Sequence, residues 1–160
     1  MGGERRPLGS AHVIEAGWES PPSSWLEVTQ ERVDAFAGAT DDRQSIHVDS
    51  ELAAEGPFGT TVAHGFLSLS LLVPFWNEVA PSANGGPTIN YGVNKVRFPA
   101  PVPVGSRIRA RFRVEGVEPV AGGRQATIAA TVEREGQDKP VCVAELLLRF
   151  LEPQGGRNHA

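Results

Sequence analysis

Two short stretches of this chain carry the residue types that acid–base chemistry uses. The first, 42-DRQSIHVD-49, holds Asp42, Arg43, His47 and Asp49; the second, 59-GTTVAHGFLSLSLL-72, brings His64, Gly65 and Ser70. A carboxylate and an imidazole held close in a partly dry site can divide the roles of acid and base. Histidine suits the task because its ordinary pKa, about 6.5, lets it gain or lose a proton near neutrality. On spacing alone Asp42 and His47 are a weak signal, since charged clusters in loops are usually solvated. His47, Asp49 and His64 are also acceptable metal ligands. No compact ligand spacing supports such a site, so no metal is expected. Asp49 reads as the N-cap of a short helical turn over 50–55, and Asp41 and Arg43 read as solvent-facing.

These residues need elements to position them. His64 and Gly65 open the most apolar run of the chain, 62-VAHGFLSLSLLVPFW-76. A helix N-terminus presents unpaired N–H groups and the positive end of a dipole. Gly65 has no side chain, so a carbonyl oxygen could approach its N–H and have developing charge stabilised there. The structural alternatives are that Gly65 only permits close helix–sheet packing and that His64 satisfies a buried backbone group, the reading favoured for His64. Ser70 either bonds back to a carbonyl of its own helix or offers its hydroxyl to the site. A helix apolar all round must be surrounded by other structure. Pro74 is expected to bend or end it.

Ahead of it, Thr29 is placed to cap a helix that Gly38 ends. Behind it come strands. In 107-RIRARFRV-114 four arginines alternate with Ile108, Ala110, Phe112 and Val114, and 125-QATIAATVER-134 and 141-VCVAELLLRF-150 follow after turns at Gly122–Gly123 and 135–139. An earlier extended piece is 93–98, and Trp25, Leu26 and Val28 suggest an edge strand. The arginine stripe reads first as a solvated face; its functional alternative is that some of these arginines, or Lys95 and Arg97, meet ligand phosphates. The expected class is α+β: an antiparallel sheet curling around one greasy helix, whose remaining side a second copy could cover.

Composition bounds the function. The 160 residues suit one domain, with 40% hydrophobic and 21% charged residues. Residues 1–23 read as a loosely packed lead-in, 24–151 as the domain and 152–160 as a flexible tail; His12 and His159 fall in the outer pieces, where chemistry is rare. A net charge of −4 argues against a nucleic-acid partner. Cys142, the single cysteine, sits in an apolar run and reads as a buried structural thiol in a reducing compartment. The start of the chain lacks the apolar segment of a signal peptide, and 62–76 is too short to span a bilayer, so a cytoplasmic, membrane-free location is expected.

Taken together, the two stretches resemble the MaoC-like, (R)-specific enoyl-CoA hydratase family. Its usual pattern is Asp, any residue, Asn-Pro-Ile-His, any residue, Asp, then Phe-Gly and an Ala-His-Gly leading a hydrophobic helix. This chain reads DRQSIHVD and 57-PFGTTVAHGFLSLSLL-72, and the similarity continues through 88-TINYGVNKVRFPAPVPVGSRIRARFRV-114, so that it covers roughly 25–150. The resemblance implies a hot-dog fold, a curved antiparallel sheet around a long central helix, typically in dimers. It implies that Asp42 and His47 activate the water that adds to a trans-2-enoyl thioester, giving an (R)-3-hydroxyacyl product, with dehydration as the reverse. It casts the Gly65 N–H as the oxyanion hole, Ser70 and His64 as supporting residues, and Lys95 and Arg97 as candidate contacts to CoA phosphates. The implied substrate is an acyl-CoA or acyl-carrier-protein thioester, and no metal or redox cofactor is implied. Gln44 and Ser45 depart from the usual Asn and Pro, which bears on loop shape and substrate fit. Hot-dog folds also host thioesterases, so thioester hydrolysis is the alternative, and a non-catalytic acyl-thioester-binding module comes third.

Overall fold

The computed structural model describes residues 14–81 and 86–153. A two-residue strand, β1 (Leu26–Glu27), precedes helix α1 (Gln30–Thr40), which Thr29 caps by accepting from the Arg32 N–H. Two short helices follow, α2 (Ser45–Val48) and α3 (Ser50–Ala54), the latter capped by Asp49, whose Oδ1 accepts from the Glu51 and Leu52 N–H groups. The apolar run forms α4 (Gly65–Ser70) and α5 (Leu72–Val79), and then four strands complete the chain: β2 (Thr88–Arg97), β3 (Arg107–Val120), β4 (Gly123–Arg134) and β5 (Cys142–Leu151).

The strands make one antiparallel sheet in the order β1-β3-β4-β5-β2. Period-two patterning fixes which face is inner. Ile108, Ala110, Phe112 and Val114 of β3 are buried, as are Ala126, Ile128, Ala130 and Val132 of β4 and Cys142, Ala144, Leu146 and Leu148 of β5. Against them pack Leu67, Leu71, Leu72, Phe75 and Trp76 of the helices. Trp76 meets Phe112 edge-on at 5.2 Å between ring centroids, a contact worth about 1 kcal/mol beyond the area it buries. This is the hot-dog arrangement, with the sheet wrapped around the apolar helix.

Three expectations are corrected. The first helix does not end at Gly38 but runs to Thr40, and Asp41 terminates it in the left-handed region at φ 60°; aspartate tolerates that conformation better than most residues. The greasy helix breaks at Leu71 rather than at Pro74. A proline has no N–H for the carbonyl four residues earlier and its ring crowds that carbonyl, which here is that of Ser70. The side of that helix left for a second copy is open in the single chain, where Phe66 is 68% exposed and Val73 41%. Residues 14–23 are not loose: Ile14 is buried, Trp18 packs on Trp76, and the N–H groups of Gly17, Ser20 and Ser23 donate to the carbonyls of Val114, Phe112 and Ala110 on β3. Serine hydroxyls that accept from β3 N–H groups help tie this segment down. His12 and His159 lie outside the described residues.

Candidate active site

Three separate segments converge at one end of the central helix. The turn at Asp41 releases the chain from α1 and presents Asp42. The single turn of α2 carries His47, and His64 and Gly65 open α4. Ligating atoms of Asp42, His47 and His64 all lie within 4.8 Å of one another.

His47 is 6% exposed, and its Nδ1–H donates to the Val62 carbonyl at 2.7 Å. With that proton fixed on Nδ1, the lone pair of the neutral ring belongs to Nε2. The helix that carries it is only four residues long, so its position depends on outside ties. Gln30 supplies them: its Nε2 donates to the His47 carbonyl at 2.8 Å and to Asp34 at 2.9 Å, while its Oε1 accepts from the Thr61 hydroxyl at 2.7 Å. The Val62 N–H donates to the Ile46 carbonyl, closing the same seam. Every polar atom of the Gln30 amide is thereby used.

Asp42 is half-buried. Gln44 stands at the N-cap of α2, yet its side chain makes no cap bond. Its Nε2 donates instead to Asp42 Oδ1 at 3.1 Å, and this bond is the chief reason the Asp42 carboxyl is held below the ordinary carboxylate value. Burial is the next-largest influence and opposes it, while the Gln44 backbone N–H and then the nearby His47 and His64 add smaller effects in the lowering direction. Asp42 is therefore a carboxylate near neutrality.

His64 is 2% exposed. Its Nε2–H donates to the Asp42 backbone carbonyl at 2.8 Å, and its ring stacks on His47 with centroids 3.8 Å apart and planes 23° from parallel. The reading of His64 as the partner of a buried backbone group thus holds. Near-parallel rings bear on metal binding as well. A nitrogen lone pair lies in its ring plane, and these two planes meet far beyond metal–nitrogen bonding distance. Asp42, His47 and His64 are near enough to count as a candidate cation cluster, and the stacked ring planes disfavour one ion bonding both imidazoles. Asp49, weighed above as a ligand, caps α3 instead.

Gly65 begins α4, so its N–H has no acceptor within the helix. A Cβ at this position would sit 2.8 Å from the ring of Phe98. Only glycine allows that ring to lie against the helix start. Gly65 and Phe98 line a cavity of about 330 Å³ with Phe58, Val62, Ser68 and Val141. Ser70 is not brought there: it is exposed and its hydroxyl donates to the Phe66 carbonyl. Ser68, three residues after Gly65, shares its helix face and is buried. Lys95 and Arg97 are exposed on the edge strand of the sheet, three residues and one residue before Phe98. The four arginines of β3 face carboxylates instead, with Glu133 accepting from both Arg109 and Arg111. Cys142 is buried and its thiol is pushed up to about 11 by that burial, so it is no nucleophile. Sequence reasoning missed Gln44, Gln30 and Ser68. Gln44 stood inside the first motif and offered a signal; Gln30 offered none beyond a helix start.

Among the described residues, no helix is long and apolar enough to cross a membrane. The family model described as MaoC like domain matches residues 15–146. The 3-hydroxyacyl-thioester dehydratase Z of Mycobacterium tuberculosis (strain ATCC 25618 / H37Rv) is 53% identical over 137 residues, which are 85% of this chain and 91% of that protein. The (R)-specific enoyl-CoA hydratase of Rhodospirillum rubrum is 30% identical over 114 residues, covering 69% of this chain and 76% of that one. Among solved structures, an unliganded R-hydratase from Pseudomonas aeruginosa superposes with a TM-score of 0.71 at 26% identity, over 88% of this chain and 84% of the other.

Proposed function

The chain belongs to the MaoC-like domain family, and on that premise we propose that it is a hydro-lyase that interconverts trans-2-enoyl and (R)-3-hydroxyacyl thioesters of CoA or an acyl-carrier protein. The observation that carries this reading is the meeting of an ionised Asp42 and a Nδ1-anchored His47 beside the free N–H of Gly65. A water held between the Asp42 carboxylate and His47 Nε2 loses a proton to the pair as its oxygen bonds to the β-carbon. The alkene electron pair moves to the α-carbon, and the negative charge spreads onto the thioester oxygen, which the Gly65 N–H stabilises. The pair then returns a proton at the α-carbon. Atoms balance with water as the only co-reactant, and dehydration runs the same steps backwards.

The apolar cavity beside Gly65 and a second gap of about 250 Å³ farther along the helix, walled by Leu72, Val73, Trp76 and Val93, give an acyl chain apolar surroundings. Exposed Lys95 and Arg97 suit CoA phosphates as point-charge and bidentate donors. The working unit is a homodimer in this reading, because the edge strand β2 and the helix residues Phe66 and Val73 leave apolar surface uncovered.

Crotonyl-CoA hydration, with product chirality recorded, is the test. The wild-type chain is expected to give the (R)-3-hydroxy product, and Asp42→Asn and His47→Gln each to lower kcat about 1,000-fold while unfolding as the wild type does. Full activity in either variant would sink the assignment. Release of free thiol without addition of water would point to a thioesterase, and binding without turnover to a non-catalytic module.

A further inference from the structure

Among the described residues, His64 is the one side chain that ties together all three segments of the site. It sits on the residue before Gly65, its Nε2–H reaches back 22 residues to hold the Asp42 carbonyl at 2.8 Å, and its ring covers the ring of His47 at 3.8 Å. Phe36 of α1 packs on it at 4.9 Å between centroids, so the imidazole is wedged in place. Its Nδ1 has no partner although it is buried. A buried nitrogen left without a bond costs free energy. A phenylalanine would fill this apolar wedge without that cost. The imidazole keeps both a flat face and a donor, and those are the two features that touch the neighbouring segments.

The Val62–Ile46 and Gln30 bonds also tie α2 to the segment ahead of α4, but among the described residues the hydrogen bond from His64 is the one that links Asp42 to the start of α4. Asp42 follows a helix end at a left-handed residue, and Gln44 holds its carboxylate from the same loop, so neither ties it to α4. His47 is tied to Val62, two residues before His64, on its Nδ1 side only. We propose that His64 is a positioning residue: its Nε2–H sets the distance of Asp42 from the Gly65 N–H, and its ring face sets the tilt of His47 above the same point. It neither touches substrate nor carries a proton in the reaction. A displacement of about 1 Å between reacting groups can cost 100-fold in rate, which is the scale of effect such a residue controls.

The two contacts can be separated by substitution. His64→Phe keeps the flat face and removes the donor; His64→Gln keeps a donor and removes the face; His64→Leu removes both. The kinetic arm rests on the hydratase reading. There, His64→Leu is expected to lower kcat between about 10- and 100-fold with KM within about twofold, and Phe and Gln each to restore part of the loss. In an Asp42→Asn background the same substitution should cost little more, because the group it positions no longer works. Wild-type kcat in His64→Leu, or losses that simply add to that of Asp42→Asn, would overturn the proposal and leave the hydratase reading intact.

A second arm needs no turnover. In protein labelled with 15N-histidine, His64 is expected as the Nε2–H tautomer with a slowly exchanging ring proton. The His47 ring signals should move in His64→Gln and His64→Leu, while amides of the β3–β4 hairpin stay put. A chain that hydrates nothing yet shows these shifts refutes the hydratase reading and supports the positioning. Unmoved His47 signals refute the positioning whatever the activity.

Discussion

Gln44 holds Asp42 by a single amide N–H, and a residue read in the sequence as a departure from a motif thereby becomes part of the site's electrostatics. The sign of its effect follows from that bond. Hydrogen bonding to the charged form favours it, so the folded chain holds the Asp42 carboxyl below the ordinary 3.8. The associated stability is present above that value and is lost as pH falls through the lower, folded-state pKa. Gln44→Leu should therefore raise the Asp42 pKa toward 3.8, as read by the 13C shift of its carboxyl during titration. An unchanged midpoint would show that another group holds it down. Asp42 and His47 were legible because residue type and spacing announce them. The helix start at Gly65 was legible too, and three-residue spacing from it puts Ser68 on the glycine's face; the resemblance had pointed to Ser70 instead. Gln30 was illegible for a different reason: beyond Asp34 on its own helix, the partners that matter to the site lie 17 and 31 residues away, and no local pattern encodes them.

At the scale of elements, periodicity did most of the work. The strict alternation in β3 and β4 named every fully buried residue of both strands, because a strand has only two faces; Val117, which packs on the core beyond the register shift in β3, fell outside it. The helix break was misplaced by three residues, since Pro74 acts on a carbonyl upstream of itself. The arginine stripe needed the register to be understood. Arg109 lies opposite Glu133 across the β3–β4 pair, and Arg111 reaches the same carboxylate, so the stripe is half of a charge ladder and not a phosphate site. Partial burial would raise the Glu133 pKa, but the bonds from Arg109 and Arg111 outweigh it and the carboxyl is held below 4.5. A group with a depressed folded-state pKa stabilises the fold above its unfolded pKa, and the contribution fades as pH falls through the folded one. Glu133→Gln is accordingly expected to cost about 1 kcal/mol at pH 7 in urea unfolding, with the gap to wild type narrowing in acid below that range. A gap that does not change with pH would mean that packing, and not charge, is what the substitution removed. A companion substitution probes the helix start. Gly65→Ala drives a methyl group into the Phe98 ring, and Phe98→Leu in the same chain should recover part of the lost unfolding temperature.

For the whole molecule, the question is what surface the fold leaves bare. Burial logic called for structure on every side of the apolar helix, and the single chain supplies only part of it. Strand β2 pairs with β5 on one side and with nothing on the other among the described residues, and eight of its ten residues are exposed. Ile89, Tyr91 and Val93 stand out from it as exposed apolar side chains, and Val93 lines the open apolar gap together with Val73. An unpaired edge with apolar side chains invites another strand. A second copy offers the same edge by two-fold symmetry, and antiparallel β2–β2 pairing would join two sheets and cover both helices at once. The left-handed Lys95 and the register shifts beside it distort the far end of β2, which limits such pairing to the Thr88–Asn94 stretch. Replacing Ile89 and Val93 together by lysine places four like charges across that seam in a dimer. Sedimentation at micromolar concentration should then find monomers where the wild type sediments as a dimer. Activity should fall with the dimer, since the open gap beside Leu72 and Trp76 would lose its cover. A wild-type chain that sediments as a monomer would refute the pairing, and a lysine variant that stays dimeric would move the interface elsewhere.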